Sequence, residues 1–251
     1  MLVGAATVCK PASVTYVLVH GGGFAGSCWD LLRPRLDAPS VAVDLPGRGS
    51  RPGDLASVTI GDFVAAVVEE MVSRHLTDVT LVGHSMAGLT LPGVAELVPE
   101  RLRRLVFVSC AVPPHGTPLV EVLGSFSPTV AAVADGLGDT AIREGGSLHP
   151  DLARAMFCND MDEDLTAWTL DRMGSEAISV LTEPSDLTGL SRPIPRTYVR
   201  LTRDASIDLE AQNRMVATLE PVEVADLDCG HMAMVSAPSD LATVLSALGT
   251  G

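Results

Sequence analysis

The chain has 251 residues, 47% of them apolar, with a formal charge of −14 and a pI near 4.7. That length suits one α/β domain with a buried sheet and leaves little room for a second, and the acidity opposes phosphate backbones and anionic lipid, so neither nucleic acid nor membrane is an expected partner. No run approaches the ~18 to 20 apolar residues of a membrane span, and Met1 to Ser13 lack the basic start and apolar core of a secretory leader, so a cytoplasmic setting is expected.

Val14 to His20 reads as the first strand, followed by Gly21-Gly22-Gly23. Three glycines are the default makings of a surface turn, but they also suit a loop that offers bare backbone N–H groups. A second strand, Ser40 to Asp44, runs into the turn-rich Leu45-Pro46-Gly47-Arg48-Gly49-Ser50. Thr59, with Asp62 three residues on, marks a helix start, and Phe63, Val64, Val67, Val68, Met71 and Val72 recur at helical spacing. The apolar run Val79-Thr80-Leu81-Val82 is a third strand, which leads through Gly83-His84-Ser85-Met86-Ala87 into a helix over Gly88 to Leu97. Arg104 to Ser109 is the next strand. Such alternation predicts a mostly parallel sheet with helices on both faces. From Ala111 to about Arg192 it is lost, and this stretch reads as a helical cap inserted over the strand ends, within a single domain spanning residues 1–251. The sheet resumes at Ile194 to Leu201 and continues at Pro221 to Leu227. Pro238 then leads a helix whose Leu241, Val244, Leu245 and Leu248 share one face.

The strand–turn–helix around Ser85 is the layout of a nucleophile elbow. Its sharp turn strains the serine backbone and demands small residues two before and two after, which Gly83 and Ala87 supply. A serine hydroxyl is a weak nucleophile near neutral pH, so an imidazole must take its proton and a carboxylate must orient that imidazole. On such an elbow the carboxylate and then the histidine follow the serine along the chain. Asp204, just past the strand Arg196 to Leu201, is the first choice of acid. Asp208 is the second choice, and Asp226 and Asp228 lie too close in sequence to the base to face it easily. The base is His231, on the loop after the last strand. Developing negative charge on a carbonyl oxygen needs fixed donors, for which the N–H groups of Met86 and Gly22 are best placed.

Other residues invite weaker readings. Five cysteines (Cys9, Cys28, Cys110, Cys158 and Cys229) are an odd number without paired spacing, which argues against a disulfide framework and against zinc and points to a reducing compartment. Cys229, near His231, reads as small apolar filler. Lys10 is the single lysine among 17 basic residues, and Arg101, Arg103 and Arg104 read as solvated punctuation before a strand. His20 reads as structural, His84 as packed under the elbow, and His115 and His149 as surface residues. Gly23, Phe24, Phe157, Trp168 and Met232 are the candidate pocket residues, with Met86 and Met234 as further adaptable apolar groups; for Phe157 and Trp168 the cap's own core, and for the methionines ordinary core packing, are the competing readings.

Taken together, Leu18-Val19-His20-Gly21-Gly22-Gly23, Asp44-Leu45-Pro46-Gly47-Arg48-Gly49, Gly83-His84-Ser85-Met86-Ala87-Gly88 and Gly230-His231-Met232-Ala233-Met234 resemble the α/β-hydrolase superfamily over nearly the whole chain, least between Ala111 and Arg192. Within it the chain is similar to the branch of plant methylesterases and hydroxynitrile lyases, with the segments around Asp204 and Gln212 as further hints. That resemblance implies an α/β-hydrolase fold, a Ser85, Asp204, His231 triad, donors at Gly22 and Met86, and a capped pocket for a small, largely apolar substrate; no metal and no cofactor is expected. The lyases of the branch carry a threonine in the first loop and a lysine after the catalytic histidine, where this chain has Gly21 and Met232, so ester hydrolysis through an acyl-serine is the expected reaction. A lyase or cyclase using the same triad for proton transfer, and a ligand-binding receptor, are the alternatives. A homodimer is allowed and not demanded.

Overall fold

The structure, a computed structural model, describes residues 14–131 and 148–249. Cys9 and Lys10 lie outside the described residues. Six strands, β1 (Thr15–Val19), β2 (Ser40–Val43), β3 (Val79–His84), β4 (Leu102–Val108), β5 (Arg196–Leu201) and β6 (Glu223–Leu227), form one sheet in the order β2-β1-β3-β4-β5-β6. Every pairing among them is parallel, as the alternation of strand and helix signals predicts. β1 and β3 are buried along their whole length, which is why both read as continuous apolar runs.

The strand order fixes where a ligand can go. The chain lays β2 on one side of β1 and then β3 on the other, so the connections leaving β1 and β3 diverge and open a crevice at their carboxyl ends. Gly21-Gly22-Gly23 leave β1 there, and Ser85 leaves β3 there.

Among the described residues the α-helices are α1 (Ile60–Ser73), α2 (Leu91–Leu97), α3 (Leu119–Leu123), α4 (Pro150–Phe157), α5 (Glu163–Leu170), α6 (Ile178–Thr182), α7 (Leu209–Leu219), α8 (Ala233–Ser236) and α9 (Pro238–Gly249). α1 begins with a reciprocal cap: Thr59 Oγ1 accepts the Asp62 N–H, and the Asp62 carboxylate accepts the Thr59 N–H. Its buried face carries Phe63, Val64, Val67 and Met71, whereas Val72 sits at the margin and is 42% exposed. After the elbow, a 3₁₀ turn over Ser85–Leu89 precedes α2. The single helix expected over Gly88 to Leu97 is broken there because Pro92 has no N–H to continue the i→i−4 pattern. In α9, Leu241 and Leu245 are fully buried, with Val244 and Leu248 packed beside them. Arg104, expected in solvent, is instead largely covered, donating to Thr197 Oγ1 at 2.8 Å and to Glu223 at 2.7 Å.

Between β4 and β5 the chain leaves the sheet and forms α3 to α6, the segment called the cap below. Its return is pinned at Gly189, where an added methyl would lie 1.9 Å from the Pro92 carbonyl oxygen and 2.7 Å from the Glu96 nitrogen. Among the described residues, no helix is long and apolar enough to cross a membrane.

Candidate active site

β3 delivers Ser85 to the crevice in a left-handed conformation, φ 54°, which costs a non-glycine residue roughly 1–3 kcal/mol and persists only where its surroundings impose it. The neighbours do impose it. A methyl on Gly83 would lie 2.5 Å from Leu91 Cδ1, and one on Gly21 would lie 2.8 Å from Ser85 Cβ, so the elbow turns only because both positions are bare. The Ser85 carbonyl accepts the Ala111 N–H at 3.0 Å, tying the turn to the start of the cap. Ala87 is tolerated in place of glycine because its methyl would lie 3.1 Å from a methyl on Gly83, which glycine does not carry.

The loop between β6 and α8 brings His231 to this serine. Ser85 Oγ lies 3.0 Å from His231 Nε2, and His231 Nδ1 lies 2.7 Å from Asp204 Oδ2. With Nδ1–H donating to the carboxylate, Nε2 is left as the acceptor for the serine hydroxyl. Both His231 and Asp204 are buried. From below, His84 donates its Nε2–H to the His231 carbonyl at 2.9 Å, and the two rings lie 4.6 Å apart. Phe157 covers the His231 ring from the cap at 5.5 Å.

Asp204 is held by four bonds. Oδ1 accepts the N–H groups of Ser206 at 2.7 Å and Ile207 at 2.9 Å, and Oδ2 accepts the Ser109 hydroxyl at 2.6 Å besides the imidazole. Ser109 directly follows β4 in a left-handed conformation, φ 40°. Gln212, fully buried on α7, staples this region, accepting the Leu201 N–H and donating to the Leu201 and Ile207 carbonyls. The other acids are engaged elsewhere: Asp208 caps α7 through the Ala211 N–H, Asp226 pairs with Arg200, and Asp228 bonds Thr202 and Arg203.

His20 and His84 supply hydrogen bonds in neutral form. Burial pushes His20 down to about 4 and His84 well below the ordinary histidine value. The Leu45 N–H donates to His20 Nε2 at 3.2 Å, which places the proton on Nδ1, where it is donated to the Gly21 carbonyl at 2.9 Å. His20 thus ties the loop after β1 to the loop after β2. Burial pushes the Cys229 thiol up to about 12, so it stays protonated and unreactive. His115 and His149 are exposed. Among the described residues, no group of three or more His, Cys, Asp or Glu side chains is placed to hold a metal.

Ser85 opens on a cavity of about 180 Å³. Gly22, Gly23 and Met86 line it on the sheet side; Leu119, Leu123, Phe126, Phe157, Met173 and Leu181 line it from the cap, and among the described lining residues Glu176 and Ser206 are the polar ones besides Ser85. The Met86 N–H lies in the first turn after the strand, where helical amides have no internal partner. Four residues considered for the pocket are placed otherwise. Phe24 is buried behind the wall, edge-on to Phe157 at 5.5 Å. Trp168 is turned away, with the Arg172 guanidinium 3.8 Å over its ring, a cation–π contact. Met232 and Met234 are fully buried core residues, because the chain turns into α8 directly after His231. Ser109, Glu176 and the cap leucines were not signalled by any motif, although Ser109 lies at a strand end, as Asp204 nearly does.

The sequence profile of the Alpha/beta hydrolase family matches residues 16–244. The chain is 28% identical over 243 residues to the carbendazim hydrolyzing esterase of a Nocardioides species, covering 93% of this chain and 99% of that protein. It is 29% identical over 248 residues to polyneuridine aldehyde esterase of Rauvolfia serpentina, covering 92% and 93%. Among solved structures, an extracellular alpha/beta-hydrolase from a Paenibacillus species superposes with a TM-score of 0.83 at 23% identity, covering 95% of this chain and all of that one. With a parallel sheet, an elbow serine at its switch point and a profile match from β1 into α9, the chain belongs to the alpha/beta hydrolase family.

Proposed function

We propose that the protein is a serine esterase that cleaves small, largely apolar carboxylic esters through an acyl-serine. The observation that carries this reading is the bonded series Ser85–His231–Asp204 opening on an apolar cavity. Ser85 Oγ attacks the ester carbonyl as its proton passes to His231 Nε2, and Asp204 stabilises the imidazolium. The carbonyl oxygen, now negative, is met by the N–H groups of Gly22 and Met86, each such donor contributing about 3–4 kcal/mol in the transition state. His231 then protonates the departing alkoxide, leaving the acyl-serine. A water molecule, deprotonated by the same imidazole, attacks that ester, and the acid leaves as the proton returns to Ser85.

The cavity supports an uncharged substrate. A dry apolar cavity of about 150 Å³ takes a benzene ring, so this one has room for an aryl or short branched group beside the scissile bond. The names of the relatives, esterases toward carbendazim and polyneuridine aldehyde, agree with ester cleavage. Cyanohydrin cleavage is disfavoured by the two positions that distinguish it: a side chain at Gly21 would collide with Ser85, and Met232 offers no cation beside His231. The free thiols Cys28, Cys110, Cys158 and Cys229 support a reducing, cytoplasmic setting, and the acidic charge supports a small molecule as partner in place of nucleic acid or membrane.

The test is a panel of p-nitrophenyl esters of increasing acyl length, with mass analysis of Ser85 after a fluorophosphonate probe. Turnover that depends on Ser85, with labelling of that residue blocked by competing esters, is expected. Absence of both labelling and turnover would overturn the reading.

A further inference from the structure

Gly21-Gly22-Gly23 carries no side chain, so nothing inside this loop selects one peptide orientation over its flipped alternative. The selection comes from outside. The cap's Gly174 N–H donates to the Gly23 carbonyl at 2.7 Å, and the Gly23 N–H donates to Glu176 Oε2 at 2.7 Å. The other carboxylate oxygen, Oε1, accepts from Arg48 Nη2 and from the Ala177 N–H, both at 2.6 Å. The ion pair is largely covered, its side chains 5% and 12% exposed. A methyl on Gly22 would lie 3.1 Å from Glu176 Oε2, so the carboxylate flanks the residue that offers its N–H to the substrate oxygen.

We propose that Glu176 and Arg48 are positioning residues for the oxyanion loop. This inference rests on the serine-esterase reading and adds two groups to it. Glu176 holds the Gly22–Gly23 peptide with its N–H toward the cap; the flipped peptide would turn the Gly22 carbonyl onto a carboxylate, exchanging attraction for repulsion. The Gly22 N–H belongs to the preceding peptide, whose Gly21 carbonyl accepts from His20 Nδ1 at 2.9 Å; with that peptide held by His20 and the next one by Glu176, both torsions of Gly22 are set and its N–H is kept facing the cavity. Arg48 does separate work. An unbalanced carboxylate beside Gly22 would oppose negative charge growing on the substrate oxygen, and in a poorly hydrated site that opposition is strong; the guanidinium cancels it. Because Glu176 comes from the cap and Arg48 from the loop after β2, the donor pair is complete only when the cap is seated on the sheet.

The experiment compares Glu176→Ala, Glu176→Gln, Arg48→Met and the double variant Arg48→Met/Glu176→Gln in the full chain. Steady-state kcat and KM are read with p-nitrophenyl butyrate, and the second-order rate of Ser85 phosphonylation with an alkyl fluorophosphonate. In the latter, Ser85 Oγ bonds phosphorus, fluoride leaves, the serine proton passes to His231, and the phosphoryl oxygen occupies the same donors. Removal of one oxyanion donor costs roughly 10²–10³ in rate, so a donor left unsteady in Glu176→Ala should cost about 30-fold in kcat and in phosphonylation, with KM nearly constant. Glu176→Gln should recover only part of this, since its single amide oxygen can accept either the Gly23 N–H or the Arg48 and Ala177 donors. Arg48→Met should lose about tenfold, and the double variant should be faster than Arg48→Met alone, because it has no charge left to cancel. A purely structural role would lower Tm without that rescue. Glu176→Ala at the wild-type rate, or a loss confined to KM, overturns the proposal. Should Glu176→Ala not fold, the Arg48→Met pair decides, and a double variant no faster than the single overturns it. Wild-type protein unlabelled at Ser85 overturns the esterase reading itself, whereas labelled wild type with an unaffected Glu176→Ala overturns only this inference.

Discussion

The two walls of the cavity are built on different principles. On the sheet side, polar atoms are fixed by short hydrogen bonds from strand ends: Asp204 accepts four, His231 is held at its ring and its carbonyl, and Ser85 is locked by bare glycines at positions 21 and 83. On the cap side, short helices present leucine, phenylalanine and methionine, with Glu176 as the charged exception among the described residues. Apolar packing is non-directional and tolerates changes of shape, whereas the bonded series fails if one member moves by an ångström. The sheet wall should therefore set how fast any ester reacts, and the cap wall which ester is preferred.

The largest expected effect falls on the sheet wall. Ser85→Ala should lower kcat by about 10⁴-fold or more, and adding His231→Ala should cost little further, because the residues act as one unit. Equal losses for every ester of the panel would support the comparison; a loss limited to some esters would break it.

Acid should weaken the sheet core specifically. His20 is held at about 4 when folded against an ordinary 6.5, so between those values the unfolded chain binds the extra proton. Stability is then full above about 6.5 and falls as the pH drops toward 4, by up to roughly 3 kcal/mol from this residue. His84 acts in the same direction. Denaturant midpoints between pH 7.5 and 5 should follow this slope, and His20→Asn should flatten it.

Ser109→Ala removes a hydroxyl bonded to the Asp204 carboxylate. Hydrogen bonds to charged groups contribute about 1.5–3 kcal/mol, and a loss of about tenfold in kcat, uniform across the panel with KM little changed, is expected from steady-state kinetics. On the other wall, Leu181→Trp should leave the acetate ester within about threefold of wild type and depress longer esters by about tenfold, since it fills space without touching the bonded series. A uniform loss in that variant would dissolve the division between the walls.

The same division explains what could be read from the sequence. Strand ends, elbow and the order serine, acid, base rest on backbone geometry that admits few residue types, so Gly83, Ser85, Asp204 and His231 stand out in the chain. Their supports do not. Ser109 looks like any serine until β4 and β5 are set side by side, and Gln212 reads as an ordinary helical glutamine until its three bonds to the Leu201 and Ile207 backbone are seen. The cap has no period to follow because its helices are as short as five residues, less than two turns, and Trp168 could not be told from a pocket residue before Arg172 was found stacked on it. Glu176 is the extreme case: its partners Gly23 and Arg48 lie more than a hundred positions away.

Gly189 carries a practical consequence for anyone recombining members of this fold. The carbonyl of Pro92 and the amide of Glu96 leave no volume there for even a methyl group, so a chimera with a foreign lid grafted onto this scaffold must keep glycine at the downstream splice. A seam placed a few positions earlier, ahead of Leu187, would carry that joint with the host and leave the donor free to vary.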